Sequence, residues 1–243
     1  MRASRWPAKV ARFVIPGGLW DAYAAAKQKR RARQFVEPLF KLPKRPVTEI
    51  FPGIDTEFVH LTLAHIPDRP EMVMPLAETL TIAAITQWLQ PKRAFEIGTY
   101  RGATALAVAM NAPDDAVVFT LDLPPRTKDG GRADDEIGSA YRGVPTGRKI
   151  RQLYGDSTTF DFRPYEGSLD LILIDGNHDE RFVSIDTANS LRMLKPSGVI
   201  VWDDYLWDRK YPECAGVTRC LDKLSEELDI ANVAGTRLAV YRR

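Results

Sequence analysis

From Ala94 onward, short apolar runs alternate with stretches in which apolar residues recur at helical spacing. Ala94-Phe95-Glu96-Ile97 reads as a strand, Thr104 to Asn111 as a helix and Val117-Val118-Phe119-Thr120-Leu121 as a second strand. Ile150 to Tyr154 and Leu169 to Ile174 continue the strand series. A helix follows with Phe182, Ile185, Ala188, Leu191 and Leu194 on one face, and then a strand at Val199 to Trp202. Val217 to Leu228 predicts a further helix and Leu238 to Tyr241 a last strand. Strands separated by helices need crossover connections, so the pattern predicts the α/β class: a Rossmann-like, mostly parallel sheet with helices on both faces.

Upstream of this series, Leu76, Leu80, Ile85, Trp88 and Leu89 fall at helical spacing between Pro75 and Gln90, and Pro91 ends the run. Pro38, Pro43, Pro46, Pro52 and Pro70 interrupt regular structure between residues 38 and 71, which reads as a connector over the surface. Pro124 to Gly147 is polar and aperiodic, and reads as a long mobile loop of the kind that forms lids. The expected organisation is an α/β domain over residues 72–243, preceded by an extension and connector over residues 1–71.

Composition narrows the class. A chain of 243 residues with 44% hydrophobic and 27% charged residues can bury one sizeable core. The stretch Phe13 to Ala26 is broken by Pro16, Gly17, Gly18 and Asp21, which argues against both a membrane-spanning helix and a secretory signal. Cys214 and Cys220 sit at a spacing that does not face them together on a helix, so neither a disulfide framework nor a zinc site follows, and a cytoplasmic setting is expected. Residues 1–50 hold 12 Lys/Arg against 3 Asp/Glu, so with a total of +2 the remainder carries −7. The basic run Lys27-Gln28-Lys29-Arg30-Arg31-Ala32-Arg33 has Trp6, Phe13, Trp20 and Phe35 nearby. Such an arm suits a homo-oligomer interface or the mouth of a site. Peripheral contact with an anionic membrane surface is an alternative. Nucleic acid ranks low as a partner, because the rest of the chain is acidic and carries no base-stacking motif.

Candidate chemistry gathers at the predicted strand ends. Glu96-Ile97-Gly98-Thr99-Tyr100-Arg101-Gly102 ends the first strand of the series and opens a helix. Glycines there permit a tight turn, and the helix N-terminus offers N–H groups to an anionic group. A dinucleotide fingerprint needs glycine where Glu96 stands, and a carboxylate facing a pyrophosphate is unfavourable. S-adenosylmethionine, with no phosphate, a carboxylate and two cationic groups, suits Glu96 better. Asp122, 24 residues after Gly98, ends the next strand at about the spacing that reaches ribose hydroxyls. Asp156 and Ser157 follow the strand Ile150 to Tyr154, where an adenine would lie.

The tract from Lys92 to Ala107, KRAFEIGTYRGATALA, resembles the first motif of small-molecule O-methyltransferases of the catechol and caffeoyl-CoA kind, and the later motifs resemble the macrocin O-methyltransferase type. The resemblance runs from Leu76 to the C-terminus. It implies the class I methyltransferase fold with seven strands, the last antiparallel, S-adenosylmethionine as methyl donor bound through Glu96, Gly98, Thr99, Tyr100, Gly102, Asp122, Asp156, Ser157 and Asp175, and often a magnesium ion.

Two further strand ends are acidic: Asp175-Gly176-Asn177-His178-Asp179 and Asp203-Asp204-Tyr205. Carboxylates converging there repel one another, and a hard cation such as Mg²⁺ would relieve the repulsion. In the resembling enzymes acids at these places hold the metal, which maps onto Asp175, Asp203 and Asp204. The alternative is metal-free, with Asp179 capping a helix and an acid paired to Arg181 or Arg209. Asp175 and His178 are the candidate catalytic residues. His178 is a candidate general base, with a helix-start or substrate-contact role as its alternatives. Trp202, Tyr205 and Trp207 line either an acceptor pocket or the core. The expected acceptor is a hydroxyl of a sugar, phenol or polyketide-like molecule. Aminopropyl transfer, or a non-catalytic binding protein acting through its basic arm, are the competing readings.

Overall fold

The computed structural model describes residues 40–54, 59–61, 74–125, 137–206 and 212–243. The basic run at residues 27–33, its aromatic neighbours, Trp207 and Arg209 lie outside these residues. The elements are β1 (Lys44–Arg45), α1 (Val47–Ile50), α2 (Leu76–Leu89), β2 (Arg93–Ile97), α3 (Ala103–Asn111), β3 (Val117–Asp122), β4 (Ile150–Tyr154), β5 (Leu169–Ile174), α4 (Glu180–Met193), β6 (Leu194–Trp202), α5 (Ala215–Leu224), β7 (Ile230–Val233) and β8 (Ala239–Arg242).

All strands join one sheet in the order β1-β7-β8-β6-β5-β2-β3-β4. β8 runs antiparallel to β6 and β7, and every other pairing is parallel. Side chains alternate across the sheet, so each inner strand feeds two cores. Phe95, Ile172, Ile174, Ile200 and Trp202 pack with Val183 and Met193 of α4 and Leu221 of α5. Ala94, Leu171, Leu173, Val199 and Val201 pack on the other face with Ile82 and Ile85 of α2 and Leu106 of α3. Burial on both faces explains why these strands read as continuous apolar runs. From β2 the chain moves outward to β3 and β4, then returns to β5 on the other side of β2. The carboxyl ends of β2 and β5 are therefore the switch point of the sheet, where open α/β folds bind ligands.

Where the structure departs from the sequence pattern, buried polar contacts are the reason. Helix α2 forms where expected, but its inward face is Glu78, Ile82, Ile85 and Thr86, while Leu76 and Leu80 are exposed. Glu78 turns inward because Arg237 pairs with it there. The inward face of α4 is Val183, Asp186, Thr187, Ser190 and Met193, not the expected Phe182, Ile185, Ala188 and Leu191. Thr187 is inside because its Oγ1 accepts a hydrogen bond from Trp202 Nε1 at 2.9 Å. The last helix ends at Leu224, four residues early, and continues as turns to Leu228.

The proline-rich connector is more than a surface run. Lys44 and Arg45 form an eighth strand parallel to Asn232 and Val233, beyond the seven that the resemblance implied. Pro43 and Pro46 flank this strand, and an edge position tolerates their missing donors. Leu42 and Phe51 are buried on opposite cores. The Phe51 ring meets Trp88 edge to face at 5.2 Å, and the Arg242 guanidinium lies over both rings. The later part of the expected mobile loop is also docked: Gly138 N and Ala140 N donate to Tyr100 O and Arg101 O, and Pro145–Lys149 forms a 3-10 helix. Residues 126–136 of that loop lie outside the described residues. Among the described residues no helix is long and apolar enough to cross a membrane.

Candidate active site

The turn after β2 is fixed by close backbone approach. Gly98 has φ +102°, its N–H donates to Leu121 O, and a Cβ there would sit 1.9 Å from the Asp175 carbonyl oxygen. Only glycine lets the ends of β2 and β5 approach this closely. Gly102, at φ +78°, precedes α3, and a Cβ there would meet the Tyr141 ring at 2.3 Å. Both glycines thus make room for protein. Between them Tyr100 has φ +44°, with its N–H held by Asp122 Oδ2 at 2.7 Å. The other Asp122 oxygen accepts from Leu123 N at 2.7 Å.

Glu96 is buried beneath this turn. Its carboxyl accepts from Thr120 Oγ1 at 2.5 Å and from the Ala105 N–H in the first turn of α3. Burial pushes its pKa up to about 8, opposed by the Thr120 hydrogen bond. Thr99 Oγ1 lies 2.7 Å from Thr120 Oγ1, Gln152 Nε2 donates to Thr99 Oγ1 at 3.0 Å, and Tyr141 OH donates to Gln152 Oε1 at 2.5 Å. With Thr120 donating to Glu96, the Thr99 hydroxyl donates to Thr120, and every donor from Tyr141 onward points toward Glu96. The sequence reading took Glu96 and Thr99 but missed Thr120, Gln152 and Tyr141. A polar residue inside each of two apolar strand runs was the available signal.

Beyond β4, Asp156 is exposed and closes its own turn, accepting from Thr158 N at 2.9 Å and Thr158 Oγ1 at 2.7 Å. Those bonds hold its carboxyl below the usual range. Ser157 hydrogen-bonds to Asp186, a residue the sequence reading did not select; burial raises the Asp186 pKa to about 6.

The acidic end lies beside this loop. Asp203 N donates to Ile174 O at 3.1 Å, which locks the ends of β5 and β6 together. Asp175, Asp203 and Asp204 each offer one oxygen, and the three oxygens lie within 4.8 Å of one another. Asp204 adopts φ +61°, and its N–H donates to Asp203 Oδ1 at 2.7 Å. His178 Nε2 sits 2.8 Å from Asp204 Oδ2. The Cys214 thiol also bonds to Asp204, and these partners hold the Asp204 carboxyl below its usual range against the opposing effect of burial. Burial and the neighbouring carboxylates push Asp175 well up, and burial with Asp204 beside it raises Asp203 to about 7. The turn that carries His178 is seated by Gly216 of α5, where a Cβ would lie 2.2 Å from His178 O. Asp179 caps α4 by accepting from Arg181 N at 3.0 Å.

Arg237 also reaches this cluster. It pairs with Glu78 through Nη2 and Nε at 2.9 and 3.0 Å, and its Nη1 lies 2.9 Å from Asp204 Oδ1. That last contact is off the hydrogen-bond direction, so Asp204 Oδ1 is buried with no hydrogen bond. Three convergent carboxylates with such an oxygen fit a hard divalent cation. Trp202 and Tyr205 belong to the core rather than to a pocket wall: Tyr205 OH donates to Asp222 Oδ1 at 2.6 Å and accepts from Leu42 N. A narrow cleft between α2 and the strand ends is lined by Met74, Thr104, Leu173, Asp175 and Asp203.

Residues 95–205 match the methyltransferase domain family. A caffeoyl-CoA O-methyltransferase of Stellaria longipes is 26% identical over 144 residues, 55% of this chain and 54% of the relative. The chain thus aligns with about half the length of that curated relative. Among solved structures, the SAH-bound methyltransferase PaMTH1 of Podospora anserina superposes with TM-score 0.58 at 20% identity, over 100% of this chain and 99% of its own. The O-methyltransferase TomG of Streptomyces achromogenes, in complex with SAM, gives TM-score 0.54 at 19% identity over 71% of this chain and 82% of its own. At these identities the structural likeness concerns the fold.

Proposed function

We propose, from a chain whose residues 95–205 match a methyltransferase domain, that this protein transfers the methyl group of S-adenosylmethionine to a hydroxyl oxygen of a small acceptor such as a sugar, phenol or polyketide-like molecule. The observation that carries this reading is the position of the Asp175, Asp203 and Asp204 carboxylates beside the turn from Gly98 to Gly102. The donor lies on that turn, its ribose toward Asp122, its adenine toward Asp156 and Ser157, and its amino-acid end near Thr99, Tyr100 and the cleft beside Asp175. Glu96 acts from beneath by ordering the turn.

Asp175, Asp203 and Asp204 would hold Mg²⁺. When bound, that ion supplies positive charge that lowers the pKa of an acceptor hydroxyl. His178, oriented by Asp204 Oδ2 at 2.8 Å, takes the hydroxyl proton. The acceptor oxygen then attacks the sulfonium methyl carbon in line as the carbon–sulfur bond breaks, leaving neutral S-adenosylhomocysteine. Asp175 stands between donor turn and acids and positions the two reactants. Residues 72–243, with residues 42–51 packed into their sheet and cores, would form the catalytic unit, and the basic segment before them an extension serving self-association or contact with an anionic surface. Two buried free thiols, Cys214 and Cys220, suit a reducing cytoplasm.

The test is calorimetric titration with S-adenosylmethionine, followed by mass spectrometry for S-adenosylhomocysteine against a panel of catechols, phenolic esters and glycosides. Micromolar binding lost in Gly98→Asp and product formation lost in His178→Ala and Asp204→Ala are expected. Absence of donor binding to the wild type would sink the reading, and turnover unaffected by both EDTA and Asp204→Ala would remove the metal from it.

A further inference from the structure

Arg237 sits on the turn between β7 and β8, and it ties three elements together. Its backbone N–H donates to Glu78 Oε1 at 2.9 Å, and its carbonyl accepts from Tyr205 N at 2.9 Å, directly after the acid pair. Its side chain spends one edge on Glu78, in the fork-to-fork geometry that guanidinium and carboxylate favour. The opposite edge faces the acids, with Nη1 2.9 Å from Asp204 Oδ1 and Nη2 3.4 Å from Asp203 Oδ2. Glu78 is 3% exposed, so its charge is held inside by this partner. Glu78 and Arg237 together carry no net charge, yet the guanidinium already touches two of the three aspartates.

We propose that the Glu78–Arg237 pair is an internal counter-ion of the acid triad: it holds Asp203 and Asp204 in place before a divalent ion arrives, and competes with that ion so that it binds weakly and exchangeably. This rests on the reading of the triad as a cation site. Two carboxylates on adjacent residues repel, and a fixed guanidinium offsets the repulsion. Glu78 sets the strength of the device. It draws the guanidinium away from the acids, and without it both edges of Arg237 would turn to Asp203 and Asp204.

The experiment is Mn²⁺ titration of metal-free protein, read by the electron paramagnetic resonance of free Mn²⁺ and independent of turnover. Arg237→Gln should bind Mn²⁺ at least about tenfold more tightly than wild type, and Glu78→Gln about tenfold more weakly. Arg237→Lys, which keeps the charge, should stay close to wild type, whereas a purely structural role would make it behave like Arg237→Gln. Should Arg237→Gln fail to fold because Glu78 is left buried and alone, the double variant Glu78→Gln/Arg237→Gln removes both charges and should still bind more tightly than wild type. Tighter binding by a variant lacking Arg237 supports the inference even if wild-type binding is too weak to measure. Equal or weaker binding by every folded variant lacking Arg237, or no binding by any of them, overturns it. Donor binding and methyl transfer at saturating Mg²⁺, measured on the same wild-type sample, report separately on the proposed function.

Discussion

Glu96 shows how far a single residue's environment can depart from what its type suggests. A carboxyl with a pKa of about 8 in the folded chain and about 4.5 when unfolded binds its proton more tightly in the native state. The extra stability is fully present below about 4.5 and is lost as the pH rises through about 8, by at most about 1.4 kcal/mol per pH unit. Glu96→Gln cannot titrate and still accepts from Thr120. Its melting temperature relative to wild type, in metal-free buffer, should therefore rise from pH 5 to about pH 8 and level off above it; parallel curves would show that Glu96 does not carry the effect. At this scale the sequence located Glu96, Asp175, His178, Asp203 and Asp204 because each sits at or just beyond a strand end, where local pattern fixes position. Arg237 and Glu78 were not legible, because they meet across 159 residues of chain and neither follows an apolar run. Asp186 and Thr187 escaped notice because polar residues on a helix read as its outer face.

At the scale of elements, the alternation of strands and helices was legible from apolar runs alone, and the strands β4 and β5 fall at the expected residues. Which side of a helix faces the sheet was less legible. Leu76 and Leu80 lie across α2 from Glu78 and Ile82, since residues two apart on a helix point about 200° apart. The polar residue went inside because a guanidinium was waiting there, and that rotation turned two leucines outward. Ile82→Ala should cost on the order of 2–5 kcal/mol in chemical denaturation, whereas Leu80→Gln, at a position 39% exposed, should stay within about 0.5 kcal/mol of wild type. The reverse ranking would mean that α2 packs on the face suggested by its leucines. The glycines of the β2–α3 turn teach a related lesson. They read as glycines of a tight turn, and the structure packs the Asp175 carbonyl and the Tyr141 ring against them. The approach of Gly98 to the Asp175 backbone is what brings this turn and the acids side by side.

On the scale of the whole molecule, the segment before α2 is part of the machinery that holds the acids. Prolines made it look like a connector, since neither a two-residue strand nor a four-residue helix leaves a periodic trace in sequence. Yet Phe51 is fully buried, and Leu42 donates its N–H to the Tyr205 hydroxyl one residue beyond Asp204. Tyr205 also donates its N–H to the Arg237 carbonyl, so the residues leading into the edge strand, the end of β6 and Arg237 meet at one residue. Removal of residues 1–39 leaves all of these contacts in place and is the reference for the longer truncation. Removal of residues 1–54 discards Leu42, β1 and Phe51 together. Loss of a buried phenylalanine costs about 3–5 kcal/mol, which in a domain of this size lowers the melting temperature by on the order of 10 °C. If the segment serves only as a surface connector, the two truncations will melt alike. If it supports the site, the longer truncation will also change Mn²⁺ affinity, because Tyr205 OH then keeps only Asp222 of its two partners and the residue next to Asp204 is held less firmly.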